Sequence, residues 1–354
     1  MRKRGRWLPS AIVDGVAPDP TLLVDGIEAW LRATRPANGA TVISVERPTA
    51  GLTNDTLIVR CVAERLVLRL APAKATFPEI DLGLQARLHR DLADAGIPTP
   101  VPVVHEADRA WLGAPFLAMP FVDGHIPSQL TVLDPWLAEA SVEDQSTVQH
   151  GFIGLLAQLH RLDPVKLPVG QHLRGGHGLD DEVTWWHRYA RWAADGGEPP
   201  MRLTGLLDWC ATTCPANESR PSLLWGDARL ENVIFDKSRR IAAVLDWETA
   251  SLGPAELDLA WYLAMDRIQS HFLGGGVLPG FADRHELVNR YEGALGRPTQ
   301  DLAWHQVFAA VRALAVTFRQ AAIADQAGEP YPVPGGDDNP MFDVVESWLE
   351  ADDC

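Results

Sequence analysis

Cysteine is scarce in this chain of 354 residues, which carries four. Cys61, Cys210, Cys214 and Cys354 offer neither four zinc ligands at readable spacing nor a disulfide framework, so reduced thiols are expected. Basic residues are outnumbered: 31 Lys and Arg face 47 Asp and Glu, giving a formal charge of −16. Nucleic acid is therefore not expected as a partner, because phosphate-backbone recognition relies on clustered Lys and Arg. The acidity serves solubility and would also tolerate a cationic substrate. No apolar run of about 18 residues or more is found, so no membrane-spanning helix is expected. The basic start Met1-Arg2-Lys3-Arg4-Gly5-Arg6 leads into Asp14, Asp19 and Asp25 rather than an apolar stretch. That predicts no secretory signal and a cytoplasmic location. Neither a Gly-x-Ser-x-Gly elbow nor a Gly-x-Gly-x-x-Gly turn occurs, which removes the motif support for a serine hydrolase or a Rossmann dehydrogenase.

What is present is an ordinary globular composition, 46% hydrophobic and 22% charged, with length enough for two cores. Thr41–Val45, Thr56–Cys61 and Arg65–Leu70 read as strands, with Ala63-Glu64 as a hairpin tip. Ile80, Leu84, Leu88 and Leu92 recur every four positions, predicting a helix that ends near Gly96 before Pro98, Pro100 and Pro102. A short apolar run, Phe116–Met119, closes at Pro120, and a boundary between units of residues 1–120 and 121–354 is placed there. Beyond it, Val148, Phe152, Leu155, Leu159 and Leu162 mark a second helical stripe. Gly170 to Gly178 reads as a loop, and helices bearing Trp185, Trp186, Trp192 and Trp209 read as core packing. Asn232–Phe235 and Ile241–Leu245 read as strands around a turn at Lys237-Ser238.

The chemistry concentrates in Leu223-Leu224-Trp225-Gly226-Asp227-Ala228-Arg229-Leu230-Glu231-Asn232 and in Val244-Leu245-Asp246-Trp247-Glu248. A hairpin there would bring Asn232 and Asp246 to one end. Two hard oxygen ligands at such a point suit Mg²⁺, which keeps several waters and shares phosphate oxygens with the protein. Asp227 is then placed to accept a proton from a substrate hydroxyl. Alone, Asp227 would read as a turn or capping residue; the constellation reverses that.

The Gly-Asp-x-x-x-x-Asn pattern followed by a second Asp resembles the aminoglycoside phosphotransferase family of the protein kinase-like fold. The resemblance extends to Leu155–Pro164, to Phe116–Gly124 as an interlobe hinge containing Met119, and to Leu252-Gly253-Pro254 with Glu256–Trp261. It covers roughly residues 40 to 320. The implied fold is α+β: a small antiparallel-sheet N-lobe and a mainly helical C-lobe. The implied reaction moves phosphate from ATP, with Mg²⁺, to a hydroxyl of a small molecule. By resemblance, Asp227 is the base, Asn232 and Asp246 hold the metal, and Arg229 faces the transferring phosphate, with a surface salt bridge as the competing reading. Gly51, Thr53 and Asn54 fall in the phosphate-covering loop. Arg69 stands where the family has a strand lysine, and Gln85, or else Glu79 or Asp81, where it has the paired Glu. Met119 is the hinge contact to the nucleotide.

Trp225 replaces the family's His and reads as a packing substitution. Asp258 is expected to brace the catalytic loop, and His160 to be a satisfied helix histidine. His172 and His177 are assigned nothing beyond lining the substrate side. The Trp-rich middle and the Gly-Asp-x-Arg loop resemble a branch related to the kinase domains attached to acyl-CoA dehydrogenases, which raises a hydroxyacyl acceptor. A catalytically weak, nucleotide-binding or regulatory protein is the alternative, motivated by Arg69, Gln85 and Trp225.

Overall fold

The structure, a computed structural model, describes residues 23–35, 40–48, 55–176, 178–216, 220–272 and 277–350. The chain divides into two compact units, Met1–Arg90 with Pro100–Val122, and Asp91–Thr99 with Asp123–Cys354.

The first unit holds α1 (Val24–Thr34), β1 (Val42–Glu46), β2 (Asp55–Cys61), β3 (Arg65–Leu70), most of α2 (Leu82–Asp94), β4 (Val104–Glu106) and β5 (Phe116–Pro120). The strands form one antiparallel sheet in the order β1-β2-β3-β5-β4. The period of two along β3 buries Leu66, Leu68 and Leu70 on one face, where they meet Leu57 and Val59 of β2 and Ile27, Trp30 and Leu31 of α1. Full burial of each such side chain stabilises by roughly 1.5–3 kcal/mol. The Trp30 indole reaches the edge of this core and donates to Glu106 Oε2 at 3.1 Å. On the opposite face, Leu82 and Ala86 of α2 pack with Leu117 and Met119 of β5.

The expected stripe on α2 holds at Leu88 and Leu92, which are buried, and departs at its start. The helix begins at Leu82, so Ile80 precedes it, and its buried face includes Leu82, Gln85, Ala86 and His89. Two polar residues thus share the inward face, which an apolar template could not detect. The helix closes at Gly96, whose positive φ of 83° lets Ile97 N–H reach back to Leu92 O at 2.9 Å.

The second unit contains α3 (Pro135–Ala138), α4 (Val142–His160), β6 (Arg174–Gly175), α5 (Leu179–Ala193), α6 (Met201–Thr212), β7 (Ser222–Leu224), β8 (Val233–Phe235), β9 (Ile241–Val244), β10 (Ser251–Gly253), α7 (Glu256–Phe272), α8 (Arg284–Leu295), α9 (Leu302–Ala327) and α10 (Met341–Glu350). Strands β6, β10 and β7 form a small mixed sheet, and β8 and β9 an antiparallel hairpin. Ser141 caps α4, its hydroxyl accepting from Asp144 N–H.

Part of the expected loop at Gly170–Gly178 is strand: Arg174 and Gly175 pair in parallel with Ser251 and Leu252. A side chain at Gly175 would meet Leu252 O at 2.2 Å, and two residues are too short to show periodicity. The tryptophans of α5 are not all apolar core. Trp186 is buried, but Trp185 and Trp192 are half-buried and lie beneath the guanidinium groups of Arg174 and Arg319, at 4.1 and 4.4 Å.

Helix α9 is long and apolar enough to cross a membrane by length and composition, though half of that window is buried. Its residues Trp304 to Ala315 are buried, as in the core helix of a folded unit. Among the described residues, Cys61, Cys210 and Cys214 are free thiols.

Candidate active site

The loop between β7 and β8 is built by backbone demands. Gly226 adopts φ of 86°, and a Cβ there would stand 2.5 Å from Thr249 O. The main-chain N–H groups of Trp225 and Gly226 both donate to Asp258 of α7, at 2.6 Å to Oδ2 and 2.8 Å to Oδ1. Asp258 is fully buried and is met from behind by His160 Nε2 at 3.1 Å, while Tyr291 O–H lies 2.6 Å from His160 Nδ1. Each ring nitrogen of His160 thus has a polar partner. Asp258 therefore braces the loop, and His160 is satisfied at both nitrogens.

Trp225 does more than fill space. Its ring is buried against Trp247 and Phe152, with centroids 5.5 and 6.2 Å away. Its Nε1 donates to the main-chain oxygens of Leu245 and Asp246, at 2.9 and 3.1 Å. Asp246 sits in the left-handed region at φ 58°, a conformation that is costly for a residue with a Cβ and must be held by its surroundings. The indole supplies part of that hold.

Asp227 follows Gly226 and has its carboxylate fixed from three sides. Asn232 Nδ2 donates to Oδ2 at 2.9 Å and to the Asp227 main-chain oxygen at 3.0 Å. Arg229 NH2 donates to Oδ2 at 2.9 Å, and its Nε lies 2.7 Å from Oδ1. The Trp261 indole donates to Oδ1 at 2.9 Å. Arg229 also pairs with Glu231 at 2.6 Å. Burial works against the charge of Arg229, but Asp227, Glu231 and Asp246 together raise its pKa above the ordinary value. Burial pushes Glu231 up to about 7, with Arg229 opposing and Asp227 adding to the rise.

Asn232 ends a short 3₁₀ turn at Leu230–Asn232. Its main-chain oxygen accepts from Leu245 N–H at 2.8 Å, which brings Asp246 to the same end of the hairpin. With its amide nitrogen turned to Asp227, the amide oxygen of Asn232 is the atom suited to a cation, and Asp246 adds a second hard oxygen donor. Among the described residues no three His, Cys, Asp or Glu gather around a common point. The donor set therefore fits a magnesium ion that keeps waters and phosphate oxygens, not a closed protein cage.

In the first unit, β3 places Arg69 on the face opposite Leu68 and Leu70. Burial, with the Arg69 charge adding to it, pushes the buried His89 imidazole down to about 4. Gln85 lies one turn before His89 and is buried. Met119 is buried opposite Val67 of β3. Gly51, Thr53 and Asn54, with His177 and Cys354, lie outside the described residues.

Two contributors escaped the sequence reading. Trp261 stands three residues after Asp258 on α7, so both face the loop. Arg312 of α9, buried, donates to Gly226 O at 3.3 Å. A lone charge in Ala309-Ala310-Val311-Arg312-Ala313-Leu314-Ala315 was its available signal.

Residues 44–290, about 70% of the chain, match the model of the phosphotransferase enzyme family. The chain belongs to that family. Human acyl-CoA dehydrogenase family member 11 is 29% identical over 241 residues, which are 67% of this chain and 30% of that protein. Mouse acyl-CoA dehydrogenase family member 10 is 26% identical over 262 residues, 73% of this chain and 24% of its own. The chain thus spans less than a third of the length of either relative. Among solved structures, a putative aminoglycoside phosphotransferase of Ralstonia eutropha superposes with a TM-score of 0.69 at 20% identity, covering 92% of this chain and 98% of that one. An aminoglycoside phosphotransferase solved with AMP-PNP and hygromycin B gives a TM-score of 0.55 at 14% identity, covering 92% and 99%. The α+β fold of an antiparallel sheet and a mainly helical unit is the one these phosphotransferases share.

Proposed function

We propose that this phosphotransferase moves the γ-phosphoryl group of ATP to a hydroxyl of a small molecule, with Asp227 as the base. The carrying observation is the single unit formed by Asp227, Asn232 and Asp246. The Asn232 amide nitrogen orients the carboxylate of Asp227, while its main-chain oxygen holds the N–H of Leu245, the residue before Asp246. Asn232 and Asp246 would hold Mg²⁺, which would neutralise charge on the ATP phosphates. Asp227 accepts the proton of the attacking hydroxyl as the new oxygen–phosphorus bond forms and the bond from the γ-phosphorus to the β–γ bridging oxygen breaks, releasing ADP. Arg229 balances Asp227 and Glu231 and lends positive charge where phosphoryl oxygens gain negative charge.

On the nucleotide side, Arg69 takes the phosphate-contacting role, and Gly51, Thr53 and Asn54 cover the phosphates. Met119 contacts the nucleotide base, and Gln85 steadies Arg69. Arg keeps the charge of the usual lysine but offers a planar fork in place of a compact ammonium. One solved relative forms a ternary complex with AMP-PNP and hygromycin B, which supports a nucleotide donor and a hydroxylated acceptor. The relationship to acyl-CoA dehydrogenase family members 10 and 11 adds hydroxyacyl-CoA to the acceptors to be tried.

The test is a transfer screen with γ-labelled ATP over aminoglycosides, macrolides, amino alcohols and hydroxyacyl-CoAs, with and without Mg²⁺. Label appearing on one acceptor class only with Mg²⁺ is the expected result. Magnesium-dependent ATP binding with no label on any acceptor would overturn the reading in favour of a nucleotide-binding regulator.

A further inference from the structure

Helix α9 carries a charge where its neighbours are all apolar. Arg312 is 5% exposed and is flanked by buried Val311 and Ala313. Its guanidinium lies over the rings of Trp186 and Trp261, 5.1 and 5.0 Å from the centroids. One NH2 donates to Gly226 O at 3.3 Å, while the buried Nε has no hydrogen-bond partner. The nearby carboxylate of Glu182 is already held by Arg174 and by the Trp186 indole, the latter at 3.1 Å. Arg312 is therefore an incompletely paired buried cation, and burial lowers its pKa from the ordinary value, with Glu182 and Asp258 opposing.

Packing alone does not call for such a group. An apolar side chain of similar volume would fill the space without desolvating a charge, and such replacements are often neutral or stabilising. What the guanidinium does is touch Trp261, one of the three side chains that fix Asp227, and the main chain just before Asp227. It lies over the face of Trp261, whose indole N–H is bonded to Asp227 Oδ1. It also holds the carbonyl of Gly226, the residue immediately before Asp227. A cation over the ring of an indole sets that ring's position.

We propose that Arg312 is a positioning residue: through Trp261 and the Gly226 carbonyl it sets the orientation of the Asp227 carboxylate. The inference rests on the assignment of Asp227 as base. No contact of Arg312 with substrate is implied, and its effect falls on turnover more than on nucleotide affinity.

The experiment uses the full chain in four forms beside the wild type: Arg312→Met, Arg312→Lys, Trp261→Phe and the Arg312→Met/Trp261→Phe double variant. Misplaced catalytic groups can slow turnover by about 10²-fold. Arg312→Met is expected to lose kcat on that scale with KM for ATP altered less than about twofold, and Arg312→Lys to recover part of the loss. Because part of the Arg312 effect passes through Trp261, the double variant should be slowed by less than the product of the two single losses. Losses that multiply independently would overturn the inference, as would a loss confined to KM.

A second readout needs no turnover. In ¹⁵N-indole spectra the Trp261 N–H, assigned by its absence in Trp261→Phe, should shift and exchange faster in Arg312→Met while the other indoles outside this contact stay in place. An unmoved Trp261 resonance with an active wild type removes this inference alone. A wild type inactive on every acceptor removes the base assignment, and the catalytic half of the inference with it. Should Arg312→Met not fold, Arg312→Lys carries the same spectral test.

Discussion

The indole N–H of Trp261 donates to Oδ1 of Asp227 at 2.9 Å, from a residue 34 positions further along the chain. With Asn232 and Arg229 on the same carboxylate, this leaves the side chain little rotational freedom before any substrate arrives. Preorganisation of this kind lets a base act without first reorienting, which is where enzymes gain much of their advantage. Trp261→Phe keeps the ring and removes the donor. Turnover should fall about 10-fold or more, on the scale of a misplaced catalytic group, with a thermal midpoint close to the wild type. Unchanged turnover would show that the indole has no bearing on Asp227.

Trp225→Phe addresses the metal side. The substitution keeps most of the buried ring but removes the donor to the Leu245 and Asp246 carbonyls. Leaving buried acceptors unsatisfied costs about 1–3 kcal/mol. The expected outcome is a lower thermal midpoint together with weaker Mg²⁺ dependence of ATP binding, read by titration calorimetry. A variant with wild-type stability and magnesium response would return Trp225 to a purely space-filling role.

Gly226→Ala should be more damaging than its size suggests. The position has φ of 86°, and an added methyl would meet Thr249 O at 2.5 Å. Relieving the contact must move either Asp227 or the Thr249 backbone, so the variant is expected to lose stability and most activity together. Retention of both would mean that the loop has a second conformation open to it.

How much of this was legible beforehand follows from where each signal lies. That Asp227, Asn232 and the residues beside Asp246 come together was readable because they lie along one short strand-turn-strand stretch. The strands β2 and β3 were readable from their β-branched and apolar runs, and Asp258 from its place in a recognisable segment. Trp261 and Arg312 act across separations of 34 and 86 residues, so no local pattern says what they meet. Gln85 and His89 hid on the inward face of α2 because burial, not apolarity, defines that face. Trp225 was legible as a replacement for histidine, but its N–H bonds to the backbone around Asp246 depend on tertiary placement.

Acid should destabilise the fold through two histidines. Burial pushes His89 and His305 down to about 4, and neither ring nitrogen of His305 has a hydrogen-bond partner. In the unfolded chain each takes up a proton near the ordinary value of about 6.5. Both pKa values are lower in the folded protein, so the unfolded chain binds more protons between about 6.5 and 4. Stability is therefore fully present above about 6.5 and lost as pH falls through that window, at up to about 3 kcal/mol per pH unit for the pair. The thermal midpoint against pH measures this. His305→Phe should flatten the acid limb without a large loss at pH 8; an unchanged limb would remove His305 from the account.

The most direct measurement is the single-turnover rate of phosphoryl transfer from ATP with Mg²⁺ for wild type and Asp227→Asn, on the acceptor found by the transfer screen. The substitution preserves shape and removes the proton acceptor. The predicted result is a fall of about 10²-fold or more with ATP binding retained. Transfer at the wild-type rate would contradict the assignment of Asp227 as the base.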